Sequence, residues 1–255
     1  MDLGLAGRRA LVGGGASGLG GGIATLLSSE GVRVAVVGRT RERVEAQANR
    51  LAGIPVIADV ASADGPSTAV STAVEALGGL DLLVVNSGGP PGGDFAALDE
   101  TAWETAIAGT LQSALRIIRA ALPHLRAGGD PAILVVLSSS VREPIAGLTT
   151  SNTLRPGLVG LIKSLTAEIA PIRINGIAPG RFETDRVRSL DEARARASGT
   201  SPEEIRREME ARIPLRRYGN AEEVGRVATF LLSPAAGYVT GAIVPVDGGM
   251  VRALP

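Results

Sequence analysis

Ala10-Leu11-Val12-Gly13-Gly14-Gly15-Ala16-Ser17-Gly18-Leu19-Gly20 is the stretch from which the rest of the chain can be read. Three apolar residues suited to a buried strand run into a cluster of glycines, and an apolar, helix-compatible segment then continues to about Glu30. The pattern is strand, tight turn, helix. The first N–H groups of such a helix have no partner within it, and the helix dipole adds partial positive charge at the same place, so the turn is suited to a diphosphate. Gly14, Ser17, Gly18, Leu19 and Gly20 are the candidate phosphate-binding residues, with glycine wherever a Cβ would hold the phosphates away. The alternative reading is a tight strand-to-helix turn that binds nothing.

Outward from this turn the same unit repeats. An apolar run at 32–37 precedes a helix with Val44, Ala48 and Leu51 on one face, and a run at 54–58 precedes a helix at 69–77. Further strands are expected at 80–85, 132–137, 172–177 and 243–246, with long helices at 98–125 and 156–169. Parallel neighbours need helical crossovers, which are almost always right-handed, so this order predicts an α/β fold: a Rossmann-type doubly wound parallel sheet of about seven strands. With no internal repeat and no low-complexity linker, residues 1–255 are expected to form a single domain. The polar stretch 186–217 stands apart as a helical excursion, with a good helix start at Ser201-Pro202-Glu203-Glu204.

Composition excludes several classes of partner. Twenty-six basic residues balance twenty-six acidic ones, and no segment concentrates one sign, so neither nucleic acid nor a membrane surface is expected to bind. Apolar residues make up 45% of the chain but aromatics only 2%, which suits a core of Ala, Val, Ile and Leu. There is no cysteine and no apolar leader at the start, and the reading is a cytoplasmic protein. Asp94, Asp130 and Asp247 lack partners at metal-ligand spacing, so no metal is expected. His124, the only histidine, reads as a favourable charge near a helix C-terminus.

The second strand ends Val37-Gly38-Arg39-Thr40-Arg41. Where dinucleotide-binding folds of this kind select NAD(H), an acidic side chain about 20 residues beyond the glycines accepts hydrogen bonds from the ribose 2′-hydroxyl. A guanidinium cannot accept, but it can clamp a 2′-phosphate through two N–H groups. Arg39, with Thr40 beside it, therefore points to NADP(H) over NAD(H), the alternative being a solvated first-turn arginine.

From about residue 5 to residue 250 the sequence resembles the short-chain dehydrogenase/reductase family. The family's Thr-Gly-x-x-x-Gly-x-Gly loop is present with Gly13 in place of Thr; Asp59-Val60 matches its adenine-contacting pair; Asn86 and Gly88 fall in Val85-Asn86-Ser87-Gly88, similar to its Asn-Asn-Ala-Gly. Pro179 and Gly180, followed by Thr184, resemble the turn that meets the nicotinamide end, and the segments 213–219 and 238–249 match the family's last helix and strand. The resemblance implies hydride exchange with a small carbonyl or alcohol substrate, and homodimers or homotetramers formed through the long apolar helices.

The resemblance also implies an Asn, a Ser and a Tyr-x-x-x-Lys pair, and here the pattern breaks. Thr110 falls at the Asn position, Ser151 at the Tyr position and Arg155 at the Lys position; Ser138, thirteen residues before Ser151, falls at the Ser position. The only tyrosines are Tyr218 and Tyr238 and the only lysine is Lys163, so no Tyr-x-x-x-Lys exists anywhere. Ser138, Ser151 and Arg155 are the catalytic candidates. Each has a plainer reading: Ser138 as a strand-end serine bonded to the next turn, Ser151 as a helix-start residue, and Arg155 displaced from Ser151's helical face because Pro156 pushes the residue before it out of the α region. The reading that results is an NADP(H)-dependent oxidoreductase with an atypical site, the alternative being a non-catalytic NADP(H)-binding sensor or scaffold.

Overall fold

A computed structural model describes residues 2–253. Seven strands, β1 Arg9–Val12, β2 Arg33–Gly38, β3 Ile54–Ile57, β4 Leu82–Val85, β5 Ala132–Val136, β6 Arg173–Pro179 and β7 Ile243–Val246, form one sheet in the order β3-β2-β1-β4-β5-β6-β7. Every neighbouring pair is parallel. Register sets Ala10 beside Val34 on one side and Leu82 on the other. The central strands are continuous apolar runs because helices cover both faces.

Those helices are α1 Gly18–Ser29, α2 Arg41–Arg50, α3 Gly65–Leu77, α4 Glu100–Ala106, α5 Ser113–Arg126, α6 Thr149–Glu168, α7 Asp185–Ser198, α8 Pro202–Arg212 and α9 Ala221–Leu232. Alternate strand residues feed two cores. Leu83, Val85, Ile133 and Val135 pack under Val70, Ile117 and Ile162 from α3, α5 and α6. Val34, Val84 and Leu134 face Ile23, Val44 and Leu231 from α1, α2 and α9. Each such side chain contributes about 1.5–3 kcal/mol on burial. The scarcity of aromatics fits the close approach of the layers: a Cβ on Gly22 of α1 would lie 2.3 Å from the carbonyl oxygen of Ala221 in α9. Among the described residues no helix is long and apolar enough to cross a membrane.

Two helices differ from the sequence reading. The long one near residue 98 comes as α4 and α5 joined by a wider π turn, Ile107–Gln112, with Thr110 buried inside it. The other, expected to begin at Pro156, begins seven residues earlier at Thr149 and carries Pro156 in its interior. Proline there removes only the bond to the carbonyl of Asn152, and tertiary contacts hold the preceding turns in place. Thr150 donates to the Pro91 carbonyl at 2.6 Å, while the Asn152 amide exchanges two hydrogen bonds with the backbone of Ile145 at 2.9 and 3.0 Å. Arg155 is therefore helical, and it shares a face with Ser151 four residues before it; both are buried.

The topology fixes where a ligand can sit. From β1 the chain crosses outward to β2 and β3, then returns to β4 on β1's other side. Loops leaving β1 and β4 diverge, opening a crevice at their C-terminal ends.

Candidate active site

The glycine turn lies at that crevice. Gly14 and Gly18 hold φ of +56° and +55°, values that side chains disfavour. A Cβ on Gly20 would stand 2.2 Å from the carbonyl oxygen of Gly14 and 2.7 Å from the amide nitrogen of Asn86. Asn86 donates that N–H to the carbonyl of Gly13 at 3.1 Å, tying the turn to the loop after β4. The glycines thus serve the packing of the protein on itself as well as any phosphate. Ser17 is the N-cap of α1 and makes no capping bond with its side chain, and Leu19 packs into the core beneath.

Thr184, distant in sequence, reaches the same turn: its methyl lies 3.6 Å from where a Gly18 Cβ would be, while its hydroxyl accepts from the Val187 amide at 3.3 Å and caps α7. Pro179 ends β6, and the Gly180 amide donates to Val246 at 2.9 Å. Beside the glycine turn Val60 lines a narrow cleft with Gly13, Val85, Asn86, Ser87, Ser113 and Ile117. Asp59 accepts from the Ala61 amide at 3.0 Å, fixing the turn after β3. Thr40 is the N-cap of α2, again without a capping bond from its hydroxyl. Arg39, just beyond β2, is exposed and makes no hydrogen bond or ion pair among the described residues.

On the β5 side Ser138 forms no hydrogen bond with Ser151 among the described residues. Ser138 is half-buried, and its Oγ accepts from the Ser140 amide at 3.1 Å, capping the short turn Ser139–Val141. That is the strand-end role weighed as its plainer reading. The turn carries the chain back toward α6, so it is Ser140 whose hydroxyl lies 3.1 Å from that of Ser151, both buried. Three consecutive serines carry no pattern that says which one faces inward.

Arg155 extends from α6 under the same loops. Its Nη1 donates to the carbonyls of Val136 and Leu137 at 2.8 and 2.7 Å, and its Nη2 to that of Gly88 at 3.1 Å. Nε is buried without a partner. Burial, and then the neighbouring cation of Arg186, pull its pKa down to about 10. Arg186, from the first turn of α7, donates to the Pro90 carbonyl at 2.8 Å, and burial lowers its pKa as well. The sequence reading placed Arg186 only at the edge of a polar excursion; nothing local marks it as reaching the loop after β4.

A family model described as enoyl-(acyl carrier protein) reductase matches residues 14–251. The chain belongs to the short-chain dehydrogenase/reductase family. Among curated relatives of this short-chain protein, a cis-4-hydroxycyclohexanecarboxylate dehydrogenase from Sinomonas cyclohexanicum is 34% identical over 250 residues, covering 95% of this chain and 96% of its own. A 3-oxoacyl-[acyl-carrier-protein] reductase from Aquifex aeolicus is 31% identical over 258 residues, covering 98% of this chain and all of its own. Among solved structures, L-sorbose reductase from Gluconobacter frateurii, in complex with NADPH and L-sorbose, superposes with a TM-score of 0.94 at 27% identity, and each chain is covered in full. The doubly wound sheet is thus the family's, and a nicotinamide coenzyme is bound in a neighbour of nearly the same shape.

Proposed function

We propose that this short-chain family member is an NADP(H)-dependent oxidoreductase that exchanges hydride with a small carbonyl or alcohol substrate. The observation that carries the reading is the convergence, at the switch point between β1 and β4, of the glycine turn, Asn86 and Thr184, with Arg39, unpaired among the described residues, at the end of β2. These residues fit the coenzyme: the turn offers α1's free amides to a diphosphate, and Arg39 is free to meet a 2′-phosphate. When bound, the coenzyme supplies hydride.

The chain's own residues must then manage the oxygen. The Ser140–Ser151 hydroxyl pair donates to the carbonyl oxygen and relays a proton to it from water as the carbon receives hydride. Ser138 holds the turn that aims Ser140, and Arg155 keeps positive charge one helical turn from Ser151. Neither serine ionises near neutrality, whereas a well-placed donor with a matched pKa is worth roughly 10² to 10⁴ in rate, so turnover slower by a factor of that order is expected. Coenzyme titration followed by an NADPH-oxidation screen over ketones, aldehydes, quinones and acyl thioesters tests this. Turnover that falls at least about tenfold in both Ser140→Ala and Ser151→Ala, with NADPH affinity retained, supports the enzyme. Tight coenzyme binding with no oxidation of any compound favours the sensor or scaffold instead.

A further inference from the structure

We infer that the substrate of this site carries a carboxylate, gripped by Arg186 with Arg155 behind it. The inference rests on the crevice being the catalytic site proposed above, and it adds the substrate's charge. Two guanidiniums from different helices converge on one short loop: Arg155 of α6 holds the carbonyl of Gly88, and Arg186 of α7 holds that of Pro90. A side chain at residue 89 would crowd Arg186, since a Cβ there would lie 3.0 Å from its Nε. The loop is thin where the arginine crosses it.

Among the described residues neither cation forms an ion pair, whereas two other partly buried arginines do. Arg9 is paired with Asp81 at 2.8 Å, and Arg181 with Asp191. Arg173, like Arg155, has no ion pair among the described residues and a buried Nε without a partner, but it is wrapped by the carbonyls of Leu231, Leu232, Ser233 and Ala236 at the negative end of α9. Arg155 spends three N–H groups on backbone carbonyls, keeps a buried Nε without a partner, and has a second cation for a neighbour rather than an acid. Arg155 is buried and Arg186 is exposed beside it; a buried cation that faces a like charge without a counterion is costly, and an anion between the two offsets the repulsion and part of Arg155's desolvation. Arg155 stands one turn of α6 from Ser151, about 5–6 Å along the helix. A molecule whose carbonyl oxygen meets Ser151 therefore brings a carboxylate to the arginines when the two groups are separated by only a few bonds, as in a short oxo acid.

The same cations could instead serve the coenzyme's diphosphate, because Arg186 is two residues beyond Thr184 at the glycine turn. The test separates these sources. Short oxo acids, with the carbonyl alpha, beta or gamma to the carboxylate, are compared with their primary amides as substrates of the unmodified protein with NADPH. The acid of at least one pair should show a KM about tenfold or more below its amide; equal values, or a preference for the amide, in every pair that reacts overturns the inference while leaving the enzyme intact. Arg186→Met should shrink that preference roughly 10- to 100-fold, Arg186→Lys less, with NADPH affinity within about threefold. Loss of NADPH affinity with the acid preference kept assigns the arginine to the diphosphate and also overturns it. Should no compound be reduced, quenching of bound NADPH fluorescence by acids and not by amides upholds the anion site although the catalytic reading has failed; no acid-selective quenching removes both.

Discussion

Replacing Arg39 with alanine isolates the feature on which the proposed preference for NADP(H) rests. The side chain is exposed and makes no hydrogen bond or ion pair among the described residues, so its removal leaves no buried group unsatisfied, and stability should stay within about 0.5 kcal/mol of the parent. A charge-assisted bond to a phosphate is worth about 1.5–3 kcal/mol, and solvent screening at an exposed site places it near the lower end. Roughly 1.5–2 kcal/mol corresponds to about a 10- to 30-fold rise in Kd for NADPH. NADH lacks the 2′-phosphate and should lose almost nothing, so selectivity falls by the same factor. Fluorescence titrations of both reduced coenzymes, at low and high salt, measure this, and the gap between parent and variant should narrow as salt rises. Arg41 is a built-in control, because its guanidinium is already paired with Glu45 at 3.0 Å; Arg41→Ala should matter less. If Arg39→Ala leaves NADPH affinity unchanged, or weakens NADH equally, the reasoning from the end of β2 is wrong.

Gly20→Ala should destabilise the protein by about 1–3 kcal/mol and weaken both coenzymes together, since the new methyl would collide with the Gly14 carbonyl and Asn86, disturbing the turn itself; thermal unfolding and titration of both coenzymes check it. Asp81→Ala should cost roughly 3 kcal/mol or more at neutral pH, because it leaves Arg9 and the Gly129 amide without their acceptor. Burial alone would raise the Asp81 carboxyl, but hydrogen bonds from Arg9 and from backbone amides hold it below the usual carboxylate range. With the folded value depressed, the stabilisation is present above the unfolded pKa of about 3.9 and is lost as pH falls through the folded value. Denaturant unfolding of the two proteins should therefore give stabilities that converge in acid; a gap that persists there would contradict the assignment.

The parts of the fold legible in the sequence are those set by local pattern. The strands are short apolar runs, fully buried at the sheet's centre and part-exposed at its edges in β3 and β7, so all seven could be placed, and the start of α8 was readable because Ser201 and Glu204 cap one another reciprocally at 3.1 and 3.2 Å. What escaped depends on contacts distant in sequence. Pro156 argues against helix before it, and only the anchoring of Thr150 to Pro91 and of Asn152 to Ile145 outweighs that preference. Spacing puts Ser138 at the family's Ser position, but that Ser140 meets the Ser151 hydroxyl depends on the turn after β5. Arg186 looked like one more charge in a polar stretch until the crossing of α7 over the loop after β4 placed it beside Arg155.

The two ends of the crevice also differ in what they are made from. The glycine-turn end consists of backbone amides and close glycine contacts, where a Cβ on Gly20 would stand 2.2 Å from the Gly14 carbonyl oxygen. The other end consists of side chains, and there substitutions act together. Arg155 bridges the end of β5 and the loop after β4 through three carbonyls on two segments, a span that suits a planar fork and that a single ammonium could not cover in the same way. In doing so it fixes the spacing between the strand that leads to Ser140 and the loop that carries Gly88. A serine hydroxyl donates and accepts at once, so the Ser140–Ser151 pair can pass a proton along but cannot hold one in reserve near neutral pH. In the proposed mechanism water is therefore the proton's source, and the arginine would hold the relay in place and favour negative charge on the oxygen that receives it.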